Sequence, residues 1–175
     1  MGHITIGGIL NNTDVDVDGL VRDVAGELMA DGHQLLGLIQ SGGGNLPSRC
    51  AGMEVTFIGS DRAMGISQDL GPGSGGCCLD TSQLSVVAGI LNETLDDEND
   101  VSELLILSRF GKSEAAGGGL IDCASHAIAS GVPVLMAVSA KHLDAWRDYH
   151  GGLGEEIQPD KAAIASWCRG VIGAD

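Results

Sequence analysis

The stretch LLILSRFGKSEAAGGGL, residues 104–120, decides the fold. Its first four residues are apolar without polar alternation, which is typical of a strand covered by helices on both faces of a parallel sheet. Arg109, Lys112 and Glu114 follow this run, and three glycines close the stretch. Ligands of such sheets bind beyond the carboxyl ends of the strands. We therefore predict a charged loop here that is either a binding site or an ordinary solvated loop.

The segments on either side predict alternating strands and helices. The apolar, β-branched runs 3–10, 34–39, 54–58 and 132–138 predict strands. Helical spacing of apolar residues predicts helices that begin near residues 18, 81, 119, 140 and 159. The first strand contains Gly7 and Gly8, which permit close backbone approach. The pattern predicts one α/β domain over residues 1–175, a mostly parallel sheet flanked by helices.

Composition narrows the classes of function. A chain of 175 residues with 43% hydrophobic content is long enough for one buried core. Its 9 basic and 24 acidic residues give a formal charge of −15, which argues against nucleic-acid binding. No apolar run reaches the length of about 20 residues that a membrane helix needs. The five cysteines form no C-x-x-C pair. We expect a cytoplasmic protein with reduced thiols.

A second candidate stretch is ISQDLGPGSGGCCLD, residues 66–80. Its glycines allow successive backbone N–H groups to turn toward one anion, and Asp80 or Thr81 can cap a helix directly afterwards. An ordinary tight loop remains the alternative, and Cys77 and Cys78 could be nucleophiles or packing residues. The predicted anion- or nucleotide-binding residues are Gln68, Asp69, Gly71, Gly73, Ser74, Gly75, Gly76, Cys77, Arg109 and Lys112.

Two familiar motifs are absent. The loop after the first strand lacks G-x-x-x-x-G-K-[ST], and the GKS triplet at 111–113 lacks the first glycine of that motif. Asp14, Asp16 and Asp18 have the spacing of calcium ligands, but no glycine and distal glutamate follow at loop spacing. A helix-capping acidic turn is the alternative, and we predict no metal site from this spacing.

The segments FGKSEAAGGGL, ISQDLGPGSGGCCLD and LDAWRDYHGGL resemble an uncharacterised bacterial domain-of-unknown-function family. Its members are sometimes labelled as ATP-binding components of molybdenum transport. The order of segments is also similar to that of THEP1-type nucleoside-triphosphatases, whose Gly-Lys-x-Glu stretch is matched by Gly111, Lys112 and Glu114. This resemblance implies a P-loop-NTPase-like three-layer fold. The THEP1-type phosphate cradle is missing here, and Ser108 and Arg109 replace its acidic pair.

Three functions follow as hypotheses. The first is a protein that binds a small anion, a nucleotide or an oxyanion such as molybdate or tungstate, without efficient triphosphatase activity. Arg109 and Lys112 would hold the anion, and Glu114 would orient Lys112 or accept a ligand hydroxyl. This requires the turn before Cys77 and the cations at 109 and 112 to meet at one sheet edge.

The other two hypotheses keep different chemistry open. One is a Mg²⁺-dependent nucleotide or phosphoester hydrolase with Glu114 or Asp69 as base and a metal on Asp14 or Asp16. The other is a non-catalytic accessory protein that docks to a partner in molybdenum handling through an apolar helix face around Trp146 or Trp167. Separately, the expected protein partner is a molybdenum-pathway protein or a second copy of this chain in a homo-oligomer.

Overall fold

Seven strands form one mixed sheet in a computed structural model that describes residues 6–11, 14–41, 54–60, 62–66 and 80–172. A 3-10 turn at Ala140–His142 precedes the fifth helix. The strands are β1 (Ile6–Asn11), β2 (Leu35–Ser41), β3 (Glu54–Phe57), β4 (Ala63–Gly65), β5 (Leu104–Phe110), β6 (Val134–Ser139) and β7 (Gly154–Ile157). The helices are α1 (Val17–Ala30), α2 (Thr81–Asp96), α3 (Lys112–Ala115), α4 (Ile121–Ala129), α5 (Leu143–His150) and α6 (Lys161–Ile172).

The sheet has the strand order β4-β3-β2-β5-β6-β1-β7. Strand β2 pairs parallel with β5, β5 with β6, β6 with β1 and β1 with β7. Strand β3 runs antiparallel to both β2 and β4. The prediction of a mostly parallel sheet flanked by helices is confirmed, and the architecture is that of a P-loop-NTPase-like three-layer fold.

Helices cover both faces of the sheet, which explains the unbroken apolar run in β5. Leu105 and Leu107 belong to a core with α2, α4 and α5, on what we call the first face. Leu104 and Ile106 belong to a separate core with α1 and α6, on the second face. Because successive strand residues point to opposite faces, a strand buried on both sides must be apolar at every position.

The two glycines of β1 let indole rings lie directly on the strand. A Cβ at Gly8 would come within 2.6–2.9 Å of ring atoms of Trp146, on the first face. A Cβ at Gly7 would lie 2.8 Å from ring atoms of Trp167, on the second face. These glycines were expected to permit close approach of another backbone, and what lies against them is side-chain atoms of the two indoles. Both indoles are buried, so the accessory-protein hypothesis is wrong in placing a docking face around them.

Three short elements and one strand end differ from the predictions. Strand β5 runs to Phe110, so Arg109 lies within a strand and not in the loop that we expected. Strand β4 has three residues and β7 reads GEEI, so neither shows an apolar run. Both are edge strands, and pairing with one neighbour is enough to form them. Helix α3 has only four residues, too few for helical periodicity.

The two cysteines that the structure describes serve as packing residues. Cys123 lies in the core on the first face of the sheet and Cys168 in the core on the second face. Both are fully buried free thiols. Burial raises the pKa of the Cys123 thiol to about 11 and that of Cys168 to about 12. Both thiols stay protonated near neutral pH and are poor nucleophiles.

No helix within the described ranges has the length and apolar character needed to cross a bilayer.

His150 ends α5 with a neutral imidazole acting as an acceptor. Its Nδ1 accepts the N–H groups of Gly152, at 3.1 Å, and of Gly154, at 3.0 Å, where β7 begins. Its ring meets the indole of Trp146 edge-on, with 4.3 Å between centroids. Burial is the main cause that lowers the pKa of His150 from 6.5, with the Arg147 cation as a smaller cause, while Glu156 acts in the opposite direction. A proton on Nδ1 would face two donors, so β7 depends on the neutral ring.

We expect the free energy of unfolding to fall as the pH is lowered through the range below about 6.5. Unfolded His150 takes up a proton near that pH, whereas folded His150 resists it until its own lower pKa is reached, so acid favours the unfolded chain. Urea denaturation of the wild type and of His150→Asn between pH 8 and pH 5 measures this. The wild type should lose more stability than the variant over this range. An equal loss in both would contradict the role of His150.

Candidate functional site

The sheet has a topological switch point between β1 and β6. These neighbouring strands run parallel, and their last residues, Asn11 and Ser139, are register partners. The chain leaves β1 for α1 on the second face and leaves β6 for α5 on the first face. Because the two connections diverge, they leave a crevice at the carboxyl ends of the strands, where open α/β sheets bind ligands.

A cavity of about 720 Å³ opens at this crevice. Residues from the ends of β1, β5 and β6 and from the turn after β6 form its wall. The lining residues are Asn11, Asp14, Arg109, Phe110, Gly111, Ala137, Ser139, Ala140, Lys141 and His142. Ala137 belongs to the second core, and Asn11 and Ser139 continue the same alternation. The cavity therefore lies on the side of the sheet that α1 covers.

A register irregularity in β5 turns Arg109 toward this cavity. Leu107 pairs with Met136 and Phe110 with Val138, so three steps along β5 match two along β6. Leu107 and Phe110 consequently pack in the same core although strict alternation would separate them. One extra residue of this kind re-aims the side chain beside it. The shift lets Arg109 reach α1 on the second face.

Arg109 is held by an acidic residue of α1. Its Nη2 donates to Asp18 Oδ2 at 2.9 Å, so the pair joins the end of β5 to the start of α1, the helix that follows β1. Strands β5 and β1 are the two neighbours of β6 in the sheet. The Arg109 side chain is 46% exposed and that of Asp18 is 21% exposed. No second partner of Arg109 is found within the ranges the structure describes. The guanidinium therefore has donors left for a ligand in the cavity.

Lys141 brings a second cation to the same wall. It lies in the 3-10 turn that follows β6, and it is exposed. Among the residues that can be described, it has no ion-pair partner. Arg147, Lys161 and Arg169, by contrast, are each paired with carboxylates. Two of the chain's few cations thus share one cavity in a protein of formal charge −15.

Glu114 holds the loop after β5 in shape. Its Oε2 accepts the N–H of Gly111 at 3.0 Å, and its Oε1 accepts the N–H of Leu120 at 3.3 Å. Both carboxylate oxygens therefore bind backbone amides on either side of α3. This contact keeps Gly111 at the cavity wall. A catalytic role of Glu114 stays a prediction. Lys112 begins α3, and its side chain lies outside the described structure.

The glycine-rich residues lie outside the described ranges, but the two ends of their segment can be placed. The predicted site residues Gln68, Asp69, Gly71, Gly73, Ser74, Gly75, Gly76 and Cys77, together with Cys78, fall in that segment. The N–H of Asp80 donates to the carbonyl of Ile66 at 2.8 Å. Strand β4 runs in the same direction as β2, so Ile66 leaves the sheet at the carboxyl end of the parallel strands, three strand positions away from β5.

Asp80 caps α2, as predicted. Its Oδ1 accepts the N–H groups of Ser82, at 3.0 Å, and of Gln83, at 3.3 Å. Hydrogen bonds from the Ser82 side chain first, and then from these amides, lower the pKa of the Asp80 carboxyl. The helix N-terminus is therefore satisfied by its own cap.

The aspartates after β1 divide between helix capping and the cavity. Asp16 Oδ1 accepts the N–H of Gly19 at 3.0 Å and caps α1, as the helix-capping alternative predicts. Asp14 lines the cavity. In the described part of the chain, no group of three or more His, Cys, Asp and Glu side chains is placed to hold a metal ion.

Sequence reasoning found Arg109 and missed most of the other lining residues. Asn11, Ser139, Lys141 and His142 were not singled out, although each follows or ends a predicted parallel strand. That position was the usable signal, because the carboxyl ends of adjacent parallel strands meet at one edge. The sequence does not show that β1 and β6 are neighbours, so these four residues could not be grouped.

Known proteins match most of the chain. The model of a family described as a protein of unknown function (DUF2478) matches residues 6–167. The molybdenum import ATP-binding protein ModC 2 of Bradyrhizobium diazoefficiens is 32% identical over 164 residues, which make up 94% of this chain and 18% of that protein. The chain thus spans less than a fifth of this relative. No solved structure gives a significant match.

Proposed function

The chain belongs to the DUF2478 family of proteins of unknown function, and we propose that it binds a small anion or a nucleotide in the cavity at the carboxyl ends of β1, β5 and β6. Arg109 and Lys141 would supply the positive charge. A volume of about 720 Å³ lies within the range of small-molecule sites, which is about 300–1,000 Å³.

The observation that carries this proposal is that two cationic side chains, Arg109 and Lys141, line the same cavity. In a chain of formal charge −15, the surrounding field repels anions, so an anion needs local cations to bind. The guanidinium of Arg109 offers a planar fork that suits two oxygens of one oxyanion, whereas Lys141 offers a compact point charge. Together they suit a phosphate or a tetrahedral oxyanion.

Two neutral polar residues complete the wall. Asn11 and Ser139 stand side by side at the ends of β1 and β6. The amide of Asn11 donates and accepts hydrogen bonds, and the hydroxyl of Ser139 does both as well. These groups would orient a ligand whose charge is met by Arg109 and Lys141.

The glycine-rich segment would supply a second wall. Its two ends, Ile66 and Asp80, lie at the same carboxyl end of the sheet as the cavity, and backbone N–H groups near Gly73 and Gly75 would reach across to cradle an oxyanion. Lys112 would add a further charge from the start of α3. These residues enter the proposal on sequence grounds.

ATP and molybdate are the first ligands to test. The relative from Bradyrhizobium diazoefficiens is named for ATP binding and molybdenum import, and the matched segment is only 18% of it. Whether this segment takes either ligand is therefore a proposal. Efficient hydrolysis is not expected, because the phosphate-cradle lysine is missing and both oxygens of Glu114 bind backbone amides.

Calorimetric titration and thermal shift with ATP, GTP, phosphate, molybdate and tungstate test the proposal. At least one of these anions should release or absorb heat and raise the melting temperature, because a ligand that binds only the folded state stabilises it. Phosphate release from ATP with Mg²⁺ should stay at background. No heat and no thermal shift with any of the five would overturn the proposal.

A further inference from the structure

We propose that Asp18 is a counter-charge that sets how tightly the cavity holds its anion. Asp18 pairs with Arg109, so an incoming anion must share this guanidinium with a carboxylate. This inference rests on the proposed anion-binding function. It assigns to Asp18 a part in specificity without contact to the ligand.

The geometry ties Asp18 to Arg109, in addition to placing its charge favourably at the amino end of α1, where it also stabilises the helix dipole. Asp18 lies in the first turn of α1, whose N-cap is Asp16. The cap bond runs from the N–H of Gly19 to Asp16 Oδ1, so the helix does not need Asp18 as a cap. Within the residues the structure describes, its contact is the 2.9 Å bond from Arg109 Nη2. Asp18 is the more buried of the two side chains, which keeps its charge close to the guanidinium.

In the Asp18–Arg109 pair, a bound anion would compete with the Asp18 carboxylate for the guanidinium. An ion pair this exposed is weak, since water and salt screen it. A doubly charged oxyanion makes charge-assisted hydrogen bonds of the same kind with Arg109 and can share or displace Asp18. The carboxylate also repels that oxyanion across the guanidinium. Asp18 should therefore lower the affinity for anions, and lower it more for a dianion than for a monoanion.

The substitution Asp18→Asn tests the negative charge of Asp18 separately from its hydrogen bond with Arg109. Asparagine has the same shape, and with its amide turned so that Oδ1 takes the place of Asp18 Oδ2 it still accepts from Arg109 Nη2, so the guanidinium stays oriented while the negative charge is removed. The matched control is Asp23→Asn, an exposed position on the same helix α1. It changes the net charge of the protein by the same amount, away from Arg109.

The probes are tungstate and perrhenate, tetrahedral oxyanions with two charges and one charge. Titration calorimetry should find that Asp18→Asn binds tungstate about fivefold more tightly than the wild type. The gain for perrhenate should be smaller, and Asp23→Asn should stay within about twofold of the wild type. Circular dichroism of each variant confirms that it is folded.

Failure of the inference and failure of the proposed function give different results. Wild-type binding of tungstate with unchanged or weaker binding in Asp18→Asn would overturn the counter-charge alone. A gain for perrhenate equal to that for tungstate would also overturn it, because the cause would not be charge. No tungstate binding by either protein would overturn the inference together with the oxyanion function.

Discussion

Replacing Gly37 with alanine is expected to lower the free energy of unfolding by about 3 kcal/mol or more. Gly37 lies in β2 with φ of +144°, a backbone conformation that alanine rarely adopts. A Cβ there would lie 2.0 Å from the carbonyl oxygen of Ile106 and 2.7 Å from its nitrogen. Both are backbone atoms of β5, so relief requires the two strands to separate.

The consequence reaches the cavity, because β2 is one of the two strands that flank β5. Leu35 to Leu38 of β2 pair with Leu104 to Leu107 of β5, directly before the irregularity that turns Arg109. Urea denaturation followed by circular dichroism measures the loss of stability. The wild type and the variant should differ in midpoint more than in slope.

Gly26→Ala is the matched control for this substitution. Gly26 lies within α1, and a Cβ there would meet nothing within 4 Å. Alanine in a helix interior is more favourable than glycine by about 0.5–1 kcal/mol, so this variant should be slightly more stable than the wild type. A Gly37→Ala variant as stable as Gly26→Ala would contradict the close β2–β5 approach.

Replacing Arg109 with glutamine is expected to weaken anion binding by about tenfold to a hundredfold. A hydrogen bond to a charged group is worth about 1.5–3 kcal/mol, and each 1.4 kcal/mol is a tenfold change in affinity. Lys141→Gln should weaken binding in the same direction and by less, since Lys141 is an exposed point charge. Calorimetric titration with the tightest-binding of the five test anions measures both changes.

Arg62→Gln is the control for the lost positive charge. Arg62 precedes β4 and lies over the ring of Phe57, with 5.5 Å from Cζ to the ring centroid. It stands at the amino end of its strand, at the sheet edge opposite the cavity. Its loss lowers the net charge equally and should leave affinity within about twofold. If Arg62→Gln weakened binding as much as Arg109→Gln, the local site would be ruled out.

The layers of the fold were predictable because apolar patterning reports burial directly. The unbroken run of β5 indicated a strand covered on both faces, and the glycines of β1 indicated close approach. Asp80 was predictable as a cap because its side chain acts on amides two and three residues away. Each of these signals is local in sequence.

The site was only partly predictable because its geometry depends on strand order and on one irregularity. Asn11 and Ser139 meet because β1 pairs with β6, and pairing partners are not encoded in apolar periodicity. Arg109 was expected in a loop because a polar residue after an apolar run suggests a strand end. It lies within β5, where the extra residue before Phe110 turns it toward Asp18.

A crystal soaked with tungstate, examined by anomalous diffraction at the tungsten edge, tests the central claim most directly. The anomalous peak should lie in the cavity between the ends of β1, β5 and β6. The oxygens of the anion should approach the guanidinium of Arg109 and the ammonium of Lys141 to about 3 Å. A peak elsewhere on the protein, or no peak in the cavity for a protein that binds tungstate in solution, would contradict the account.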